Sequence, residues 1–217
     1  MRQPSDQGIF LTIEGIEGVG KSTAVRYIQQ YLTTLRQDFI VTREPGGTPL
    51  AEKIRQILLI PTDEPMTPLS ELLLMFACRT QHIANLILPA LSVGKWVVSD
   101  RFVDASYAYQ GAGRGFDMSQ IATLDQWTVG ALRPQTTILL DAPPQLGLAR
   151  AKRRGPQDRI EQEKVDFFER VRAGYLQRAK NDVKRFCIID ATKPMAVVHA
   201  EIKIILDRLM LSKQINV

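Results

Sequence analysis

The chain has 217 residues, of which 45% are hydrophobic and 24% are charged, as is typical of one globular domain with an apolar core. Its longest uninterrupted apolar run, residues 72–78, is far shorter than the roughly 20 residues that cross a bilayer, so we expect no membrane contact. Residues 1–7 form a polar tail without the apolar stretch of a secretory signal. Two distant cysteines without CxxC spacing argue against a disulfide framework or a zinc site, and a cytoplasmic protein is expected.

The positive charge is concentrated in one short segment. The net charge is +5, and residues 150–159 alone contain five cations and one acid. The remainder of the chain is therefore almost neutral. Such a cluster suits a compact polyanion, such as a nucleotide phosphate, better than a long nucleic acid, so no nucleic-acid partner is expected.

In chain order, short apolar runs alternate with longer segments of helical period, which predicts an α/β fold with a parallel sheet covered by helices. The predicted strands are residues 9–14, 39–43, 96–100, 137–141 and 186–190. The predicted helices are residues 21–35, 49–59, 68–91, 118–132, 144–153, 164–182 and 194–211. No repeat or linker divides the chain, so residues 1–217 are expected to form one domain. Three predicted strands end in an aspartate (Asp100, Asp141 and Asp190) at the sheet edge where ligands bind in such folds.

Residues 15–22 read GIEGVGKS and match the phosphate-loop pattern G-x-x-x-x-G-K-[ST] between a predicted strand and a predicted helix. Glycines allow the backbone to turn its N–H groups toward phosphate oxygens, and the helix N-terminus adds a positive dipole end. Lys21 is expected to reach the β- and γ-phosphates, and the Ser22 hydroxyl to ligate Mg²⁺. ATP binding is predicted for Gly15, Ile16, Glu17, Gly18, Val19, Gly20, Lys21, Ser22 and Thr23.

The loop alone does not choose a reaction, because GTPases, motor ATPases and small-molecule kinases share it. No [NT]KxD guanine signature is present, which counts against a GTPase. A kinase needs a second anion site, and three arginines are candidates for it. Arg43 ends one predicted strand, Arg101 directly follows another, and Arg79 lies in an apolar helical segment. Each arginine taken alone has an ordinary structural explanation, but the three together favour a site for the phosphate acceptor.

Five motifs, EGIEGVGKST, TREPGGT, DRF, AYQGAGRG and RRGPQDRIEQE, resemble in order and spacing those of bacterial thymidylate kinase (dTMP kinase). The resemblance runs from about residue 9 to residue 211. It implies a three-layer P-loop kinase fold, with a five-stranded parallel sheet flanked by helices and a short lid at about residues 152–163. It further implies transfer of phosphate from ATP to dTMP with Mg²⁺, by a homodimer.

The resemblance also assigns individual roles around dTMP. Glu17 matches the acid that binds the 3′-hydroxyl, and Tyr109 the aromatic group that crowds the 2′ position. Arg79 matches the arginine bonded to the thymine carbonyl. The implied dTMP-binding residues are Glu17, Arg43, Met75, Phe76, Arg79, Arg101, Ser106, Tyr109 and Gln110. On the ATP side, Arg150 matches the arginine packed on adenine, where residues 192–194 close the pocket.

One position departs from the family. The family usually places Phe four residues before the base-reading arginine, to stack on thymine. Here that position is Met75, with Phe76 beside it, so both residues are candidates for the stacking partner.

The catalytic residues implied are Lys21, Asp100, Arg101, Arg153 and Arg154. Asp100 matches the acid that organises the metal and the phosphates. The loop between Gly15 and Gly20 contains no cation, so the lid must supply an arginine, with Arg154 the first choice. Neither histidine is expected to be catalytic. His82 is expected in the core or on a helix surface, and His199 on a helix surface. Two alternatives stay open: a kinase for another nucleotide or a deoxynucleoside, and a P-loop binding protein without acceptor chemistry.

Overall fold

The computed structural model describes residues 8–61, 63–153 and 158–215. Within them, one sheet of five parallel strands has the order β2-β3-β1-β4-β5. The strands are β1 Phe10–Glu14, β2 Phe39–Arg43, β3 Trp96–Asp100, β4 Thr136–Asp141 and β5 Phe186–Asp190. Every residue of the central strand β1 is buried, because helices cover both faces of the sheet. The predicted α/β class is confirmed.

The helices are α1 Lys21–Thr34, α2 Pro49–Leu59, α3 Pro68–His82, α4 Leu88–Ser92, α5 Val103–Ser106, α6 Met118–Thr128, α7 Pro144–Lys152, α8 Val165–Asn181 and α9 Met195–Ile215. Two π-helical segments, Ile83–Ile87 and Tyr107–Gly113, are continuous with their neighbours. Local chemistry explains where α2 and α3 begin. Thr48 and Thr67 accept a backbone N–H of the first turn, and each precedes a proline, whose missing N–H is not needed there.

The core lies on both sides of the sheet, since side chains alternate along the strands. Leu11 and Ile13 of β1 pack with α1, α8 and α9, whereas Phe10 packs on the opposite side with residues of α3 such as Phe76. At the carboxyl ends of β2 and β3, Arg43 and Asp100 face a crevice.

Two helical predictions differ from the structure. The predicted helix 68–91 contains the π-helical segment Ile83–Ile87, just before Pro89, which has no N–H to donate to the preceding turn. The helical stretch from Val103 to Gly113 is not among the predicted helices. It packs tightly on α8, where a Cβ on Gly174 would lie 2.6 Å from the Cβ of Ala112. This contact fixes the π-helical segment, which carries Tyr109 and Gln110.

In the described part of the chain, the helical stretch Pro68–Ser92 meets the requirement for a membrane span in length and mean hydropathy, with 25 residues and a value of 1.2. In this fold the stretch is a layer against the sheet, and its buried polar side chains include Arg79 and His82. Both are bonded to Glu44, which follows β2. A helix of this length and composition is therefore a core helix in this protein.

Candidate active site

One cavity of about 710 Å³ opens at the carboxyl ends of the strands. It is bordered by the phosphate loop, the ends of β2 and β3, the π-helical segment Tyr107–Gly113, residues 158–161 and the start of α9. The predicted site residues that line it are Glu17, Gly18, Val19, Gly20, Lys21, Ser22, Thr23, Arg43, Met75, Arg79, Asp100, Arg101, Ser106, Tyr109, Gln110 and Arg150. The fold thus brings the proposed donor and acceptor groups together.

Some predicted residues are placed elsewhere. Ile16 is buried in the core, so only its backbone belongs to the loop. Phe76 is also a core residue, packed beneath the Arg79 guanidinium at 4.8 Å from the ring centroid, whereas Met75 lines the cavity. The two neighbours on α3 point about 100° apart, so only one of them can face the cavity. Of the two candidates for the stacking partner, Met75 is therefore the one that faces the cavity. Arg153 follows α7 outside the cavity lining, and Arg154 lies outside the described residues.

The phosphate loop depends on glycine at two positions in particular. Gly18 has a φ of 71°, and a Cβ there would lie 1.8 Å from the carbonyl oxygen of Gly147 in α7. Gly20, with a φ of 102°, precedes α1, and a Cβ there would meet no atom within 4 Å. The loop is therefore packed tightly on α7 at one side and open toward the cavity at the other, beside the N-terminus of α1.

Lys21 lies at the base of this loop. Its Nζ donates to the backbone oxygens of Gly15 at 3.0 Å and Ile16 at 2.7 Å. Burial, with the nearby Arg101 charge, lowers the pKa of Lys21 to about 8. A phosphate placed here would favour the protonated form, so the lysine is ready to receive an anion.

Arg101 organises the centre of the cavity. Its guanidinium donates to Gly15 O at 2.9 Å, to the Tyr175 hydroxyl at 3.0 Å and to Glu17 Oε1 at 2.8 Å. The Tyr109 hydroxyl donates to the same Glu17 carboxylate, and its ring lies 4.7 Å from the Arg101 guanidinium. The φ of Arg101 is 74°, a conformation that non-glycine residues rarely adopt. This strained backbone turns the side chain into the site.

Behind Arg101 lies a buried pair that sequence reasoning missed. Tyr175 of α8 donates to Glu14 Oε2 at 2.7 Å, and Phe102 N donates to Glu14 Oε1 at 2.7 Å. Burial raises the pKa of Glu14 to about 8. The glutamate at the end of the strand preceding the phosphate loop was a visible signal, but nothing in the sequence indicated its partner on α8.

The acceptor side holds a second buried network. Glu44 accepts from Arg79 Nε at 2.8 Å and lies 3.0 Å from His82 Nδ1, and Arg79 also donates to Phe102 O. His82 is fully buried, so it is in the core, one of the two positions that the sequence left open. Two buried atoms on the acceptor side of the cavity, Arg79 Nη1 and Ser106 Oγ, have no hydrogen-bond partner among the described residues. Such atoms are free to bind a ligand.

Arg43 lies at the exposed mouth, paired with Glu52 at 2.9 Å. Arg55 lines the same region and was missed by the sequence reasoning. It donates to Pro45 O at 2.6 Å, and burial, with the Arg43 charge, lowers its pKa. Its position on α2, directly after the TREPGGT motif, was the available signal. Three cations, Arg43, Arg55 and Arg101, thus line this end of the cavity.

The oxygen ligands available to a metal are few. Asp100 and Ser22 both line the cavity, and the Asp100 Oδ1 atom is buried without a hydrogen-bond partner among the described residues. The described chain contains no group of three or more His, Cys, Asp or Glu side chains that could hold a metal by themselves. This donor set fits Mg²⁺, which proteins commonly bind through one carboxylate together with substrate phosphates and water.

The far end of the cavity is bordered by α7 and α9. Arg150 donates to Ala191 O at 3.3 Å, and Lys193, Met195 and His199 line the same side. His199 stacks on Tyr27 of α1, with ring centroids 4.2 Å apart. The expectation of a simple helix-surface histidine was wrong, because α9 packs against α1 at this point.

The other acids at strand ends have structural partners. Asp141 forms two 2.7 Å hydrogen bonds with the Arg172 guanidinium, and Asp190 accepts from the backbone and hydroxyl of Thr192. Of the three aspartates that end predicted strands, only Asp100 lines the cavity in the described structure.

Comparison with known proteins decides the family. A family model described as thymidylate kinase matches residues 13–202. The chain belongs to the thymidylate kinase family. The thymidylate kinase of Teredinibacter turnerae is 51% identical over 196 residues, 90% of this chain and 96% of that protein. That of Pseudomonas savastanoi pv. phaseolicola is 50% identical over 203 residues, 94% of this chain and 97% of that protein.

A solved structure agrees. The crystal structure of thymidylate kinase from Ehrlichia chaffeensis is 32% identical, with a TM-score of 0.75 over 92% of this chain and 99% of that chain. As a member of this family, the chain is an ATP-dependent enzyme that phosphorylates dTMP. Family membership therefore favours a dTMP kinase over both alternatives, a kinase for another nucleotide or a deoxynucleoside and a P-loop binding protein without acceptor chemistry.

Proposed function

We propose that the cavity described above is where the γ-phosphoryl group of ATP passes to dTMP. One observation carries this proposal. The phosphate loop and two unpartnered buried atoms of the acceptor side, Arg79 Nη1 and Ser106 Oγ, face a single cavity of about 710 Å³. That volume is within the range of small-molecule sites, and the cations at its centre suit two facing phosphate groups.

On the acceptor side, the Arg79 guanidinium donates to a thymine carbonyl, since its Nη1 has no protein partner among the described residues. Met75 packs on the thymine ring, because it faces the cavity and Phe76 does not. Glu17 binds the 3′-hydroxyl, and the Tyr109 ring beside it crowds the 2′ position. Arg43 and Arg101 bind the acceptor phosphate.

On the donor side, residues 15–23 hold the ATP phosphates and Arg150 packs on adenine. Lys21 follows the γ-phosphate, where its charge stabilises the transferring group. Ser22 Oγ and the Asp100 carboxylate would hold Mg²⁺. When bound, this ion offsets negative charge on the phosphates. The acceptor phosphate is itself the nucleophile, so the chain need not supply a general base.

Lid residues 152–163 supply the arginine that the loop lacks. Residues 158–161 support this role, because Asp158, Ile160 and Glu161 line the cavity although they follow the described part of α7. Arg154 neutralises charge on the transferring phosphoryl group, and Arg153 shares the task.

The lid is tested by the Arg153→Ala/Arg154→Ala double variant in single-turnover measurements, which separate chemistry from lid opening. The rate of transfer should fall by about 10³- to 10⁵-fold, with little change in dTMP affinity. Lys203→Ala, which removes a cation from an exposed ion pair on α9, is the matched control and should transfer at the normal rate. A normal rate in the double variant contradicts the role of the lid.

We further propose that residues 1–217 act as one kinase domain, as a homodimer in the cytoplasm. Exposed apolar side chains on α3 and α6, among them Leu69, Leu73 and Trp127, support self-association. Both cysteines are free thiols, which supports a reducing compartment. Sedimentation equilibrium of the purified chain tests the dimer.

A further inference from the structure

Glu71, in the first turn of α3, is a buried carboxylate that receives hydrogen bonds from three separate parts of the chain. Gln110 Nε2 donates to Oε1 at 2.9 Å, Arg159 Nη2 to Oε2 at 2.7 Å and Arg114 Nη2 to Oε2 at 3.2 Å. The residue is only 2% exposed. Glu71 itself does not line the cavity, but its partner Gln110 does.

The charge state of Glu71 fixes the orientation of this partner. Burial alone would raise the pKa of Glu71, but the hydrogen bonds from Gln110 and the two arginines hold it below its usual value. An ionised carboxylate can only accept hydrogen bonds. The NH₂ group of the Gln110 amide must therefore face Glu71, and Oε1 is the amide atom that remains for a ligand.

That oxygen has a defined use at a pyrimidine edge. Ser106, one helical turn before Gln110, contributes an unpartnered buried hydroxyl, and Arg79 contributes the unpartnered donor Nη1. Thymine and uracil present an N3–H donor beside a carbonyl acceptor. Cytosine presents an unprotonated N3 beside an amino group, the reverse pattern. An acceptor at Gln110 Oε1 suits the first pattern and repels the second.

We propose that Glu71 is a positioning residue for base choice, which holds the Gln110 amide so that pyrimidines with an N3–H are accepted and cytosine is rejected. This inference rests on the proposed function, which places dTMP in the cavity that Gln110 lines. Glu71 acts through Gln110 and does not touch the substrate.

The direct test is Glu71→Gln, assayed with dTMP and dCMP. The introduced amide keeps its oxygen toward the two arginines and turns its NH₂ toward Gln110, which must then present its own NH₂ to the base. The ratio of kcat/KM for dTMP to that for dCMP should fall by about tenfold or more. In a Gln110→Ala background, Glu71→Gln should leave the ratio unchanged. The matched control is Asp125→Asn, which neutralises another buried carboxylate bonded to an arginine, outside the cavity lining, and should also leave the ratio unchanged.

An unchanged ratio in a folded Glu71→Gln enzyme overturns the inference, as does an equal fall in the Gln110→Ala background. A second test uses the unmodified enzyme and so does not depend on whether a variant folds. With dTMP bound, NMR should show scalar coupling from the Gln110 side-chain nitrogen to the Glu71 carboxyl carbon, and its absence contradicts the proposal. Failure of the unmodified enzyme to release ADP in response to dTMP would instead refute the proposed function.

Discussion

Replacing Tyr109 with Phe separates two functions of one side chain. The hydroxyl donates to both Glu17 oxygens, at 2.8 Å each, while the ring packs on Arg101 and lies edge-on to Phe167 and Tyr175. A hydrogen bond to a charged group contributes about 1.5–3 kcal/mol. Loss of the hydroxyl should therefore lower kcat/KM for dTMP by about 10- to 150-fold. A decrease near the tenfold end of this range is expected, because Arg101 still donates to Glu17 at 2.8 Å.

The preference for dTMP over UMP should survive in Tyr109→Phe, because the ring still crowds the 2′ position, but should narrow in Tyr109→Ala. Tyr107→Phe is the matched control, since its hydroxyl donates to Asp125 at 2.9 Å and Tyr107 does not line the cavity. It should keep near-normal kcat/KM. The assay is coupled ADP release with each monophosphate. A normal kcat/KM for Tyr109→Phe, or an unchanged dTMP/UMP ratio for Tyr109→Ala, would refute this reasoning.

Three further outcomes are expected. Lys21→Ala should nearly abolish turnover with the fold intact by circular dichroism, because it removes the charge that follows the γ-phosphate; near-normal turnover would contradict the donor site. Since the pKa of Lys21 is about 8 and phosphate must raise it, ATP binding should take up protons near pH 8 and weaken as pH rises further. Calorimetry in buffers of different ionisation enthalpy measures this uptake, which Lys21→Ala should lose. The pKa of Glu14 is about 8 in the folded protein, against 4.5 for an unperturbed glutamate, so the folded state retains a proton that the unfolded chain releases over this range. As pH rises from about 4.5 to about 8, the free energy of unfolding measured in urea should fall for the parent protein relative to Glu14→Gln. A constant difference between the two free energies would show that Glu14 does not titrate over this range.

Features that are determined by neighbouring residues could be predicted from the sequence. The phosphate loop needs glycines and Lys21 at fixed spacing, and buried parallel strands are apolar throughout, so the loop and all five strands were identified. Arg43 and Arg101 were found because each lies at the end of such a strand or directly after it. These predictions depend on neighbouring residues only.

Features that depend on distant contacts could not be predicted. Tyr175 meets Glu14 across 161 positions of the chain, and no local pattern indicates that pair. Whether Met75 or Phe76 faces the cavity depends on how α3 is rotated against the sheet. His199 lines the cavity only because α9 packs on α1.

The central claim is tested most directly by ADP release from the purified enzyme, with ATP and Mg²⁺, against a panel of dTMP, dUMP, dCMP, UMP and GMP. The account predicts that dTMP is used fastest and that dUMP is poor but active, since the 5-methyl group contributes only about 1–3 kcal/mol. The other three should remain near the rate without acceptor. Faster release with another monophosphate, or equal release without any acceptor, would contradict it.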